Sequence, residues 1–233
     1  MRPIDRLRIA AGALASAGFA AVLLLSIGRG EAGGETAEVI RLTATGAANR
    51  VAAIVLDIRL YDTLFELFAF SVAVLGVRRF LRRTAGPAVE ESLVESHVVR
   101  RAAYVLLPPM LVLGAYLACF GHLSPGGGFG GGAVAATGVL LVSVALGADL
   151  LAQRFRDERL ERLEAVVLVV LLLMALIPAA WSRPLLANLL PPGQPGSLLS
   201  AGTIPIYSVL IALKVFAGAW AVVHFFVRHR GEV

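Results

Sequence analysis

Long apolar segments separated by short polar stretches dominate the pattern of this chain. Five of them are 19 to 24 residues long: Ile9–Ile27, Ala102–Phe120, Ala133–Leu151, Leu163–Trp181 and Ile204–Val227. A helix needs about 20 mostly apolar residues to cross the hydrocarbon core of a bilayer. Each segment therefore predicts a membrane-spanning helix.

A sixth, weaker segment starts near Ile54 or Asp62 and ends at Val77. Its first half carries four ionisable residues, namely Asp57, Arg59, Asp62 and Glu66. It is kept as a second helix because the alternation of positive charge described below requires it.

The fold class follows from the length of these segments. Backbone groups in lipid must be hydrogen-bonded internally, and the apolar runs do not alternate as β-strands do, so we predict helices. The hydrophobic fraction of 58% and the mean hydropathy of +0.81 agree with this class. We predict an all-α integral membrane protein with about six transmembrane helices.

The net charge of +5 reports topology and gives no reason to expect a nucleic-acid partner. With a cytoplasmic N-terminus, fifteen Arg residues fall in inside segments and five in outside segments. This positive-inside bias predicts a multi-pass protein of the cell inner (plasma) membrane with both termini in the cytoplasm. The first apolar run exceeds the usual 7–15 residues of a signal-peptide core, so a retained helix is expected.

Two modules are predicted on either side of a polar stretch. A two-helix membrane module spans residues 1–83, a cytoplasmic linker spans 84–99, and a four-helix membrane domain spans 100–233. Arg154 to Glu164 is interpreted as a solvated, charged connection, and Ser182–Thr203 as an external loop rich in proline.

The most informative stretch is the run Gly121–Gly132, in which seven of twelve residues are Gly. Glycine weakens a helix but lets backbone approach another backbone or an ion closely. The run, with Pro125 and the triplet Gly126, Gly127 and Gly128, predicts a site with a defined backbone geometry. A plain flexible loop is the alternative. An ion site and a packing joint both remain open.

Lys214 is the only Lys and lies inside the last apolar segment. It is ten residues, or about 15 Å, from the start of that helix. An ionisable group at this depth indicates an ion or proton pathway, or else an ion pair that locks helix packing.

Glu66 precedes Arg78 by about 18 Å of helix rise and is therefore expected near mid-membrane. Asp62 lies one turn earlier on the same face, where two carboxylates suit a proton relay or cation hydration. Asp62 alternatively caps the start of the helix. His122 exchanges a proton near neutral pH or simply hydrogen-bonds the glycine backbone.

The sequence contains no nucleophile–base pair, P-loop, haem motif or metal-ligand spacing, so we expect neither an enzyme nor a bound cofactor.

The glycine run and the segment after it resemble a known family. Gly121–Phe129, followed by Gly130–Gly132 and an apolar helix, is similar to the B-subunit (MnhB/MrpB) domain of multisubunit Mrp-type cation/proton antiporters. Leu198–Pro205, leading to Leu213-Lys214-Val215, resembles the same domain, which also occurs in energy-converting membrane-bound hydrogenases. The resemblance covers about residues 97–230.

The segment Ile54–Glu66, ending in Val74–Val77, resembles the small E-type (MbhE-like) hydrogenase subunit, which in Mrp antiporters forms the tail of the large A subunit. In that family the acidic residue matching Glu66 is regarded as functional. Phe65 stands where a Gly is common, and both pieces lie on one chain without the large antiporter-like domain.

The resemblance implies an accessory, non-catalytic subunit of a complex that exchanges Na⁺ for H⁺. Its partners would be the lipid bilayer and other Mrp-type subunits, namely the large A- and D-type and the C-, E-, F- and G-type subunits. A sodium-translocating arm of a redox complex, a structural adaptor, and a standalone transporter are the alternatives.

Overall fold

A computed structural model describes residues 44–84, 96–147 and 157–228 of the chain, together with five separate residues of the N-terminal segment, Ala17, Gly18, Ala20, Ala21 and Leu24. Most of the predicted first helix, Ile9–Ile27, and most of the predicted linker 84–99 lie outside these described residues.

The described elements are helices joined by turns. A one-turn helix α1 (Arg50–Ala53) continues directly into a π-helical turn (Ile54–Ile58). Five long helices follow: α2 (Leu60–Thr84), α3 (His97–Phe120), α4 (Gly128–Leu146), α5 (Asp157–Ala180) and α6 (Ile204–Arg228). No strand occurs within the ranges described.

All five long helices contain a stretch long and apolar enough to cross a membrane. The predicted class, an all-α integral membrane protein, is therefore confirmed. The weak second segment is one of these spans, from Leu60 to Phe80. The start of α3 differs from expectation, since the helix begins at His97 and not at Ala102, whereas its end at Phe120 is as predicted.

Helix α6 is the centre of the bundle because it packs against α2, α3, α4 and α5. Its face with Ile204, Tyr207 and Ile211 closes one apolar core with α2 and α5. Ala217 and Trp220, further along α6, close a second core with α3 and α4. A residue on α6 is therefore shielded from several sides.

Helix α4 begins inside the glycine run, which differs from the predicted start at Ala133. A Cβ built on Gly132 would lie 2.6 Å from the carbonyl oxygen of Ala212 on α6, and one on Gly131 would lie 2.6 Å from that of Gly114 on α3. Only glycine permits such approaches, so close packing outweighs its weak helix propensity here. Gly128, Gly131 and Gly132 thus form a packing joint.

The preceding turn uses glycine for a second reason. Gly127 has a φ of 134°, which side-chain-bearing residues rarely adopt, and its amide donates to the carbonyl of Leu117 at 3.0 Å. The turn brings α4 back antiparallel to α3.

Substitution at two neighbouring glycines separates packing from helix propensity. Gly132→Ala forces the contact with Ala212 apart, and we expect a loss of about 1–3 kcal/mol of folding free energy, as for overpacked cores. The thermal midpoint of the detergent-solubilised protein measures the change.

Gly130→Ala is the matched control because a Cβ at Gly130 meets nothing within 4 Å. We expect its midpoint to be unchanged or higher. Equal losses for the two variants would contradict the packing explanation of the glycine run.

Candidate functional site

Four charged side chains from three spanning helices meet in the bundle. The Lys214 ammonium on α6 donates to Glu164 Oε1 on α5 at 2.5 Å. The Arg78 guanidinium on α2 reaches Glu164 Oε2 at 3.1 Å and Glu161 Oε1 at 3.8 Å. Glu164 therefore bridges two cations, one on α2 and one on α6. We call Arg78, Glu161, Glu164 and Lys214 the charge cluster.

The cluster is withdrawn from solvent and from the bundle surface. The Lys214 side chain is 2% exposed, that of Glu164 is 9% exposed and that of Arg78 is 11% exposed. Isolated charges in such surroundings are costly, and removing one partner of a buried pair leaves the other uncompensated. Mutual pairing is what allows these charges to remain between the helices.

Helical periodicity explains why two carboxylates of α5 lie in the charge cluster. Glu161 and Glu164 are three residues apart, so they project from neighbouring turns of one face. Glu164 also falls on the buried stripe that contains Leu160, Val167 and Leu171. The interpretation of this stretch as a solvated face is therefore wrong for Glu161 and Glu164, and the stripe spacing was the signal that could have revealed it.

Aromatic and small residues complete the surroundings of Lys214. Its ammonium lies 5.8 Å from the ring centroid of Phe70 on α2. One turn further along α6, Gly218 lets the same ring pack tightly, since a Cβ there would lie 2.5 Å from Phe70 Cε1. Helix α2 thus covers the lysine with an aromatic face.

The predicted carboxylate pair lies elsewhere on α2. Asp62 forms an ion pair with Arg59 in the first turn of a helix that already begins at Leu60. Glu66 is exposed on the surface of the described chain. Hydrogen bonding to Asp62 raises the pKa of Arg59 above its ordinary value. Lys214 takes its partner from α5, and the roles of Asp62 and Glu66 in a pathway stay predictions.

His122 lies beneath the loop that precedes α6. Its side chain is buried, and Nε2 lies 3.2 Å from the carbonyl oxygen of Leu198. The hydrogen bond therefore reaches the loop and not the glycine backbone. Among the described residues, Nδ1 of the same ring has no hydrogen-bond partner.

Asn49, the residue before α1, connects this part of the chain to the glycine run by hydrogen bonds. Its Nδ2 donates to the carbonyls of Gly121 at 2.8 Å and Ser124 at 2.9 Å, and its backbone amide donates to the carbonyl of His122 at 3.0 Å. Its Oδ1 also accepts from the amide of Val51 and so caps α1. One side chain thereby fixes the turn that precedes Gly127.

The predicted glycine-run residues divide into two groups. Gly121 and Gly128 are buried, the first bonded by Asn49 and the second packed on Ser208 and Ile211 of α6. Pro125 and Gly126 are exposed at the tip of the turn. Sequence reasoning missed Asn49, which lies in a stretch without an apolar pattern.

Comparison with known proteins identifies the four-helix part. Residues 98–221 match the family model described as a domain related to the MnhB subunit of Na⁺/H⁺ antiporters. The chain belongs to this MnhB-related family. The resemblance carried by the glycine run and by the Lys214 segment is thereby confirmed, whereas the MbhE-like first module stays a prediction.

Relatives of the MnhB-related chain extend over both modules. An uncharacterized protein of Methanocaldococcus jannaschii is 27% identical over 195 residues, 73% of each chain. A chain of the membrane-bound sulfane sulfur reductase, an archaeal respiratory membrane complex, superposes with a TM-score of 0.68 and 25% identity over 96% of this chain and 98% of that one.

A further structural neighbour is longer. A chain of the Mrp complex from Dietzia sp. DQ12-45-1b superposes with a TM-score of 0.65 and 23% identity. The match covers 98% of this chain and 26% of that chain, so this chain has about a quarter of its length. The same fold thus occurs within one longer chain.

Two substitutions at Asn49 separate bridging from capping. Asn49→Ala removes two partly buried amide hydrogen bonds, and we expect a loss of about 1–3 kcal/mol of folding free energy. Asn49→Asp keeps a good helix cap but places oxygen against the two carbonyls, so we expect at least the same loss. Thermal midpoints of the solubilised protein measure both.

The outcome that would contradict this bridging role is an Asn49→Asp protein as stable as wild type, because capping alone would then explain the residue.

Proposed function

We propose that this MnhB-related chain is an accessory subunit of a multisubunit Na⁺/H⁺ antiporter and contributes part of its transmembrane ion pathway. The observation that carries the proposal is the charge cluster, which joins α2, α5 and α6 inside the spanning bundle. Ionisable groups held at such a position are costly and mark ion or proton routes in membrane proteins.

The family supports the complex in which the pathway works. Membership in the MnhB-related family points to an antiporter subunit, and the Mrp complex of Dietzia has the same fold within a longer chain. The further partners we propose are the large A- and D-type subunits and the smaller C-, E-, F- and G-type subunits. The chain supplies transport and no catalysis in this proposal.

The orientation follows from the Arg distribution. We propose cytoplasmic termini in the inner (plasma) membrane, which places the N-terminal end of α6 outside and Arg78 toward the cytoplasm. The loop over His122 then faces outside, and the charge cluster extends from Lys214 near mid-membrane toward the cytoplasmic ends of α2 and α5.

A redox-driven complex is the second candidate. The observation that favours it is the match to one chain of an archaeal respiratory complex over 98% of that chain. In such a complex the same pathway would be driven by electron transfer in other subunits.

Purification of the tagged chain from native membranes in mild detergent, followed by mass spectrometry, tests the proposal. We expect antiporter-type subunits without redox proteins, together with Na⁺-dependent proton movement in vesicles of the same membranes. Iron–sulfur or NiFe subunits would favour the second candidate, and recovery of the chain alone would contradict both.

A further inference from the structure

The four described residues of the charge cluster carry equal numbers of positive and negative charges. Two cations, Arg78 and Lys214, face two carboxylates, Glu161 and Glu164. Both oxygens of Glu164 are already directed at cations, Oε1 at Lys214 and Oε2 at Arg78. These four residues therefore supply no excess of negative charge for a further cation.

A sodium ion fits this arrangement poorly for a second reason. Hard cations select oxygen ligands. An ion at Glu164 would have to displace an ammonium or a guanidinium and would be repelled by the other cation a few ångströms away. The transported species that such a balanced cluster admits is a proton, which moves along an existing hydrogen bond.

The two cations of the cluster differ in their ability to release a proton. Arginine stays protonated in proteins. Lysine releases its proton when burial and its neighbours favour the neutral amine. Lys214 is the only Lys of the chain, and the charged groups that act on it in the described structure are Glu164 from α5 and Arg78 from α2.

We propose that Lys214 is the proton-carrying group of the cluster and that Arg78 is its fixed charge. This inference rests on the proposed antiporter function and names the proton as the ion handled at this site. In the transfer step an Nζ–H bond of Lys214 breaks, and its electron pair stays on Nζ. The proton bonds to Glu164 Oε1, 2.5 Å away, so that an ion pair becomes two neutral groups.

Arg78 has a defined part in this scheme. Its guanidinium holds Glu164 Oε2 at 3.1 Å, so the carboxylate stays in place when Lys214 changes its charge. Arg78 is therefore a positioning residue, and Phe70 keeps the far side of the lysine apolar.

Charge-conserving substitutions in the assembled complex test the proposal. Lys214→Arg keeps the positive charge opposite Glu164 but cannot release a proton. We expect it to assemble and to lose Na⁺-dependent proton movement in vesicles by about 100-fold, the lower range for removing a positioned proton-transfer group. Arg78→Lys should lower exchange less than Lys214→Arg does, with an unchanged KM for Na⁺, and the matched control is Arg162→Lys on the exposed side of α5, which should keep the wild-type rate.

Several results would overturn the assignment. Exchange at the wild-type rate by assembled Lys214→Arg would reduce Lys214 to a packing charge. An Arg78→Lys complex as inactive as Lys214→Arg, or one with a raised KM for Na⁺, would show that the cluster does not divide into a carrier and a fixed charge.

A second variant tests the proposal if the Lys214→Arg complex does not assemble. The double substitution Lys214→Met with Glu164→Leu replaces the ion pair by apolar side chains of similar length, a change that buried pairs often tolerate. We expect an assembled complex without exchange, and wild-type exchange by it would overturn the proposal. A failure of the proposed antiporter function would be distinguishable, because vesicles with the wild-type complex would then show no exchange of Na⁺ for protons.

Discussion

Pairing of buried charge is the constraint on which the arrangement of this bundle depends. Lys214 lies on the central helix α6, where Glu164 compensates its charge among apolar helices, and Arg78 holds the other oxygen of Glu164. The three residues come from three helices, so the pairing also sets the relative positions of α2, α5 and α6. A protein that needed only packing would be expected to fill this space with apolar side chains, since a buried ion pair rarely adds stability over them.

The glycine run serves this arrangement from the other side of α6. Gly128 and Gly132 let α4 lie directly on α6, and Gly132 contacts Ala212 and Val215 on either side of Lys214 in the sequence. Gly131 brings α3 equally close to α4. Close contact on this side leaves the opposite face of α6 for the charged partners on α2 and α5. Packing and charge pairing thus occupy different faces of one helix.

Much of this fold could be predicted because hydrophobic length is a strong signal in membrane proteins. The segments Ala102–Phe120 and Leu163–Trp181 predict spans from their length, and the glycine run and the Lys214 segment indicate the family. Lys214 was singled out because a lone cation within an apolar segment violates the local pattern. These features are encoded over a few adjacent residues.

The partners of Lys214 were not found because they are encoded by distant contacts. Glu66, the carboxylate singled out near mid-membrane, is exposed on α2, and Glu164, 50 residues away from Lys214 in sequence, makes the bond. Glu161 and Glu164 belong to a stretch whose alternating charges are typical of a solvated helix end. Only the packing of α5 against α6 shows which of those charges point inward. Asn49 was missed for a similar reason, since its partners Gly121 and Ser124 are more than 70 residues away.

The measurement that tests the central claim most directly is Na⁺-dependent proton movement in everted vesicles containing the complex with Glu164→Gln, compared with wild type at equal assembly. The glutamine keeps the shape of the side chain and removes the charge that holds Lys214 and Arg78. The account predicts an assembled complex that exchanges Na⁺ for protons far more slowly than wild type. Exchange at the wild-type rate would contradict it and would make the charge cluster a device for helix packing alone.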